Sequence, residues 1–138
     1  MADIQSIYFA KDVIPDSNEH GTRIILRELR FMVFRQETFF VVVSMINLDY
    51  EAEHIITIQF RDSVNNKKIA EIEGQLLIDP EKPDFLKPGF IMVEQISSLP
   101  DTIDNSCNVV VSLTESGKFV AKSSTTLLMS REVNPFGE

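Results

Sequence analysis

The sequence predicts an all-β protein, a two-layer antiparallel β-sandwich of about eight strands with Greek-key-like connections. Three observations predict it: apolar and polar residues alternate with a period of two, the alternating segments are rich in β-branched and aromatic residues, and short polar intervals separate them. Two long proline-containing connections are typical of a chain that passes between two sheets. With 138 residues and 43% hydrophobic residues, the chain can form one domain with its own core.

The strand bounds follow from the alternation. In residues 54–61, His54, Ile56, Ile58 and Phe60 share one face, because successive side chains of a strand point to opposite faces of the sheet. Residues 107–113 alternate in the same way. The strands predicted along the chain are 3–10, 22–35, 38–48, 54–62, 68–78, 89–96, 107–114 and 118–129. We expect a single β-sandwich domain at 1–130 and a short C-terminal tail at 131–138.

Residues 22–35 are compatible with either a helix or a strand. As a helix, they would carry a basic stripe formed by Arg23, Arg27 and Arg30. The β-branched and aromatic residues at the two ends of the segment, and the lack of a convincing N-cap, favour extended structure. We therefore predict one long strand, with a bulge expected near Glu28.

Other local signals predict the central strand, the turns and the crossovers. The run Phe39–Val43 has no polar face, which predicts a central strand that is covered on both sides. Asn65-Asn66 and Ser116-Gly117 are expected at hairpin turns, because Asn and Gly tolerate positive φ. Residues 79–89 contain three prolines and residues 97–106 contain Pro100, so both segments are predicted crossovers between sheets.

Charge and cysteine content limit the function classes. The formal net charge of −8 argues against direct binding to nucleic acid and against docking on membranes, because clustered Lys and Arg supply most of the affinity for phosphates and anionic lipids. Cys107 is the single cysteine, so an intrachain disulfide cannot form, and the first residues do not resemble a signal peptide. We expect a cytoplasmic protein.

The sequence offers no clear catalytic constellation, so we expect neither an enzyme nor a bound cofactor. A nucleophile needs a neighbouring base, and the histidines are His20, in a polar turn-like stretch, and His54, at the start of a strand. Cys107 opens a strand on its apolar side, where free cysteine behaves as a small buried hydrophobe. Glu51 and Glu53 precede His54 but fall on the opposite side of the strand, and the paired histidines of a zinc helix are absent.

The two proline-containing connections carry the candidate metal ligands. Calcium binds several oxygen ligands from neighbouring loops, and these connections could meet at one end of a sandwich. The aspartates concerned are Asp79, Asp84, Asp101 and Asp104. The simpler interpretation is that they form ordinary turns.

Four short segments, taken in order, carry a resemblance to a known family. Gly21-Thr22 precedes Ile24-Ile25-Leu26, and the apolar strand Phe39–Val43 follows. Ile56-x-Ile58-x-Phe60-Arg61-Asp62 leads to a turn, and Val109-x-Val111-x-Leu113 stands before Ser116-Gly117-Lys118. This order resembles a family of small bacterial β-sandwich domains of unknown function. The resemblance covers most of the chain as a pattern, implies the fold and supplies no catalytic residues.

Together these observations predict a non-catalytic interaction or scaffolding module that assembles with another protein or with itself. An exposed sheet edge or apolar patch would support that role. The first alternative is a small-ligand or calcium-binding sandwich that uses loops 79–89 and 97–106. The second is an acidic inhibitor of a nucleic-acid-binding protein, of viral origin, whose carboxylates meet a basic partner.

Overall fold

The computed structural model describes residues 2–18, 21–49, 51–76 and 89–133, and these form an all-β, sandwich-like fold, as predicted. The strands of this described part are β1 (Asp3–Asn18), β2 (Gly21–Leu29), β3 (Met32–Arg35), β4 (Phe39–Ile46), β5 (His54–Asp62), β6 (Lys68–Leu76), β7 (Phe90–Ile96), β8 (Ser106–Glu115) and β9 (Lys118–Val133). A four-stranded sheet has the order β2-β1-β4-β7, and a five-stranded sheet has the order β3-β9-β8-β5-β6.

One hydrophobic core lies between the two sheets. Alternate residues of β4, β5 and β8 point into it, since strand side chains alternate between faces. Buried residues from these three strands are Phe39, Val41, Val43, Ile56, Ile58, Phe60, Val109, Val111 and Leu113. Complete burial of each such side chain contributes roughly 1.5–3 kcal/mol. The core consumes most of the large apolar residues of β5 and β8.

Both predicted hairpin turns are present. β5 and β6 are joined across Asn65-Asn66, where Asn66 has a φ of 58°. β8 and β9 are joined by Ser116, with a φ of 49°, and Gly117, with a φ of 81°. Two consecutive positive φ values are typical of the type I′ turn, whose twist matches that of the flanking strands. These turns fix the registers of the five-stranded sheet.

Residues 22–35 form two strands, so the prediction of one long strand was wrong. β2 ends at Leu29 in the four-stranded sheet, whereas β3 begins at Met32 in the five-stranded sheet. Glu28 has a φ of 52°, which interrupts regular extended backbone. The β1–β2 register does not shift there, so the irregularity is a kink and not the expected bulge. β3 then pairs with β9 in parallel, and the sandwich is therefore not antiparallel throughout.

β1 ends at Asn18 rather than at residue 10. Its first half pairs with β4 and its second half pairs with β2, and Ala10 pairs with both strands. We call the hairpin made by residues 11–18 and 21–29 the arm. β9 continues to Val133, four residues beyond the predicted strand end at residue 129.

The two predicted crossovers lie where the chain changes sheets. β6 belongs to the five-stranded sheet and β7 to the four-stranded sheet, and the chain returns to the five-stranded sheet at β8. Residues 97–105 make the second crossing. Of the first crossing, residues 77–88 lie outside the described residues.

Candidate binding surfaces

The residues considered for catalysis lie apart. His54 is opposite Glu115 across the β5–β8 pair, while Cys107 is opposite Asp62 at the other end of β5. The two ends are eight positions apart along the strand, a distance of about 26 Å. Cys107 is buried, and that burial raises the pKa of its thiol to about 11. A pairing of Cys107 with His54 is therefore impossible in this fold.

His54 is a fully buried histidine with one hydrogen-bond partner. Its Nε2 atom lies 3.1 Å from Oε2 of Glu115, whereas its Nδ1 atom is buried without a partner. Glu51 and Glu53 are exposed, as expected from their position on the other side of the strand start. His20 lies outside the described residues. His54 is 0% exposed, so it lies inside one end of the core.

The aspartates considered for calcium are only partly within the described chain. Asp79 and Asp84 lie outside it, and Asp101 is exposed on the β7–β8 connection. The Oδ1 atom of Asp104 accepts the backbone N–H of Asn105 at 2.7 Å, as in an ordinary turn. In the described residues, no three side chains of His, Cys, Asp or Glu lie where they could share a metal ion.

The β7–β8 connection is fastened to the five-stranded sheet. Asp62, at the end of β5, accepts the backbone N–H of Val64 at 2.8 Å and that of Ile103 at 2.7 Å. These bonds, with Ile103 first and Val64 second, lower the pKa of Asp62. The Arg131 guanidinium donates to the carbonyls of Thr102 and Ile103. The connection that the sequence offered as a ligand-binding loop is thus held in place by its own side chains and backbone.

The outer faces of the two sheets differ in polarity. Thr57 and Gln59 of β5 lie on the outer face of the five-stranded sheet and are flanked by Glu73, Glu71 and Ser112. On the four-stranded sheet, Tyr8 is opposite Val42, and Val42 is opposite Val93. The four-stranded sheet therefore presents apolar side chains away from the core.

The arm lies over that apolar outer face. Ile24 in β2 pairs with Pro15, and Ser6 precedes Pro15 by nine positions in β1. In a straight strand these positions would be about 30 Å apart. Ile24 and Ser6 nevertheless line one cleft of about 410 Å³. β1 therefore bends, and the bend returns the arm across the sheet.

We call this cleft, between the arm and the sheet, the outer cleft. Val42 is 4% exposed although it points away from the core, which confirms that the Phe39–Val43 strand is covered on both sides. Tyr8 and Ile91 remain 46% and 44% exposed at the cleft. The Ser44 hydroxyl and the Gln5 Oε1 atom are 2.9 Å apart and hydrogen-bonded. The arm thus covers the face without filling the space beneath it.

A second apolar surface lies where the chain crosses from β2 to β3. We call it the crossover patch; it consists of Leu29, Phe31 and Leu128, which are 60%, 75% and 42% exposed. The backbone N–H of Leu128 donates to the carbonyl of Phe31 at 3.0 Å, so these two residues are adjacent. The largest exposed apolar patch of a protein is often a functional surface.

Arg30 separates Leu29 from Phe31 and points into the protein. Its Nη2 atom donates to Oε1 of Glu37 at 2.5 Å, and Glu37 is 4% exposed. The other carboxylate oxygen of Glu37 accepts the backbone N–H of Phe34 at 2.7 Å. The guanidinium also lies 5.5 Å from the centre of the Phe34 ring. Since Arg30 is held inward, its two neighbours project to solvent.

Sequence reasoning missed both surfaces. The prediction of one strand over residues 22–35 hid the crossover patch, because it did not place a crossing between the sheets next to Leu29 and Phe31. For the outer cleft a signal existed, because the apolar Phe39–Val43 run required a cover on its second face. The sequence did not identify that cover, since the first strand was predicted to end at residue 10.

No protein-family model matches the chain, and no curated protein matches it significantly. The resemblance to a bacterial β-sandwich family therefore stays a prediction. Among the residues described, no helix is long and apolar enough to cross a membrane.

Proposed function

We propose that this chain is a non-catalytic binding module that contacts another protein through the crossover patch. The observation that carries the proposal is the exposure of Leu29, Phe31 and Leu128 on backbone that is fixed from both sides. A leucine and a phenylalanine left in water each forgo roughly 1.5–3 kcal/mol of burial. A partner that covers them recovers that free energy.

The fixed backbone supports this role further. The N–H of Arg30 donates to the carbonyl of Phe9 at 2.7 Å in the four-stranded sheet, and Phe31 accepts from Leu128 in the five-stranded sheet. With Arg30 bound to Glu37, the patch needs little ordering when a partner binds. Preorganised aromatic residues are the usual anchors of protein interfaces because their binding costs little conformational entropy.

The charge of the chain indicates what kind of partner suits the patch. Two copies, each with a net charge of −8, repel one another. A basic protein with an apolar pocket would gain from the same net charge through long-range electrostatic steering. We therefore favour a basic partner protein over self-association, and place this encounter in the cytoplasm.

A site-specific photocrosslinker tests the proposal. p-Benzoylphenylalanine replaces Phe31 in one variant and Phe119 in the matched control. Phe119 is 61% exposed, and it lies near the start of β9, whereas Leu128 of the patch lies nine residues further on, about 30 Å away. Illumination in cells that express the chain, followed by mass spectrometry, identifies the crosslinked protein.

We expect one basic protein crosslinked from position 31 and not from position 119. Its complex with the purified chain should weaken at least tenfold when Phe31 is replaced by Ser, and should weaken further as salt is raised. Equal crosslinking from both positions, or none from position 31, would overturn the proposal. A crosslink between two copies of the chain would replace the basic partner by self-association and so contradict our choice.

A further inference from the structure

We propose that the outer cleft binds an uncharged, amphipathic small molecule with an aliphatic body and one hydrogen-bonding group. This inference is independent of the crossover patch, since none of the described residues lining the cleft belongs to that patch. Its support is the volume of the cleft, the composition of its walls and the position of its polar groups.

The size of the cleft is that of a small-molecule site. At about 410 Å³ it falls within the range of roughly 300–1,000 Å³ that such sites occupy. Close packing is the rule in proteins, and an arm that merely completed the fold would press its side chains onto the sheet. Here Tyr8 and Ile91 stay close to half exposed under the arm, so the covered face keeps room for an occupant.

The walls select an apolar, uncharged occupant. Ile24 and Leu26 of the arm face Val42 of β4 and Ile91 of β7 across the cleft. No described lining residue is Asp, Glu, Lys, Arg or His. A charged ligand would lose hydration there without gaining a counter-ion, which is costly in an apolar environment. An aliphatic body gains contact with both walls.

The polar groups of the cleft are grouped on β1 and β4. Ser44 donates its hydroxyl proton to Gln5, which holds the Gln5 carbonyl and leaves the amide NH₂ of that residue as a donor. Ser6 and Tyr8, which also carry hydroxyl groups, line the cleft as well. One alcohol, ketone or amide group on the ligand can pair with these donors and acceptors.

Methyl NMR of the full chain tests this assignment, with 1-octanol, octanoate and octylammonium as probes. We expect 1-octanol to shift the methyl signals of Ile24, Leu26, Val42 and Ile91 in a saturable way. Octanoate and octylammonium should bind at least tenfold more weakly, because the walls offer their charges no partner.

Two matched variants locate the site. Ile91→Glu places a carboxylate on a side chain that is 44% exposed, and we expect at least a tenfold loss of 1-octanol affinity. Ile103→Glu, at a 58% exposed position outside the cleft, should bind like the unmodified chain. Phe31→Ser should also bind normally, which separates this inference from the proposed function.

Three results would overturn the assignment: no saturable shift up to the solubility limit of 1-octanol, equal affinity for the three probes, or an equal loss in Ile91→Glu and Ile103→Glu. The first two are measured on the unmodified chain, so they decide the matter even if Ile91→Glu does not fold.

Discussion

Replacing Glu37 by Gln tests whether the buried ion pair holds the crossover between the sheets. Glu37 is 4% exposed and accepts two hydrogen bonds, one from the Arg30 guanidinium and one from the backbone N–H of Phe34. Gln keeps the volume of the side chain, but it has one carbonyl oxygen, and its NH₂ group is a donor that would face another donor. One of the two bonds is therefore lost.

The expected magnitude follows from these contacts. A hydrogen bond to a charged group contributes about 1.5–3 kcal/mol net, and a neutral one about 1 kcal/mol. The Arg30 side chain is 17% exposed, so water partly solvates its charge when Glu37 is changed. Because of this solvation, the loss of unfolding free energy should be smaller than that from removing one partner of a fully buried pair, which costs about 3–5 kcal/mol. We expect the free energy of unfolding to fall by about 2–4 kcal/mol.

Urea unfolding followed by circular dichroism measures this change, since the chain has no tryptophan to report by fluorescence. Glu73→Gln is the matched control, because Glu73 is exposed on the outer strand β6 and should change stability by no more than about 0.5 kcal/mol. A double-mutant cycle with Arg30→Met isolates the coupling between the two side chains. If Glu37→Gln unfolds within 0.5 kcal/mol of the unmodified chain, about the accuracy of the method, the reasoning is refuted.

Three further predictions concern the acid limb of stability, the thiol and a turn. The N–H groups of Ile103 and Val64 lower the pKa of Asp62 below its ordinary value of 3.8. The stability that the Asp62 carboxylate contributes is therefore complete above about pH 4 and is lost as pH falls through the lowered folded-state pKa. Asp62→Asn should flatten the dependence of the unfolding free energy on pH in that window, and an unchanged dependence would contradict this. Burial raises the pKa of the Cys107 thiol to about 11. The thiol should therefore react with Ellman's reagent at pH 8 only as urea unfolds the chain. Rapid labelling of the native protein would show that Cys107 is not buried as described. Gly117→Ala should destabilise the chain by about 1–2 kcal/mol, because Gly117 has a φ of 81°, which an L-residue adopts only with strain. An added Cβ would meet no atom within 4 Å, so a steric clash does not contribute. An unchanged free energy of unfolding in urea would contradict the strain argument.

The five-stranded sheet was largely predictable because its strands alternate and its turns have their own chemistry. His54 through Asp62 alternates strictly between buried and half-buried residues, as its sequence pattern requires. Asn66 and Gly117 occupy positive φ where the sequence placed the turns. Local signals were sufficient there because each strand pairs with a neighbour along the chain or meets the core on one face only.

The four-stranded sheet and both candidate surfaces depended on long-range contacts. Arg30 reads as a surface residue in the sequence, yet a buried carboxylate seven positions later draws it inward and lets Leu29 and Phe31 point outward. No local sequence signal marks the bend in β1. Ala10 pairs with both β2 and β4, and the sequence alone does not show which strands pair with β1. The candidate sites arise from these two irregularities, and regular alternation could not predict them.

The parallel pairing of β3 with β9 makes the end of β9 a structural support for the crossover patch. Met32 and Val33 pair with Leu128 and Met129, and Arg35 pairs with Val133, so β3 depends on the end of β9 for its place in the sheet. A protease that cut β9 shortly after Leu128 would remove the pairing partners of Val33 and Arg35 and so loosen β3. Clipping of β9 would then weaken the partner binding that we propose for the crossover patch.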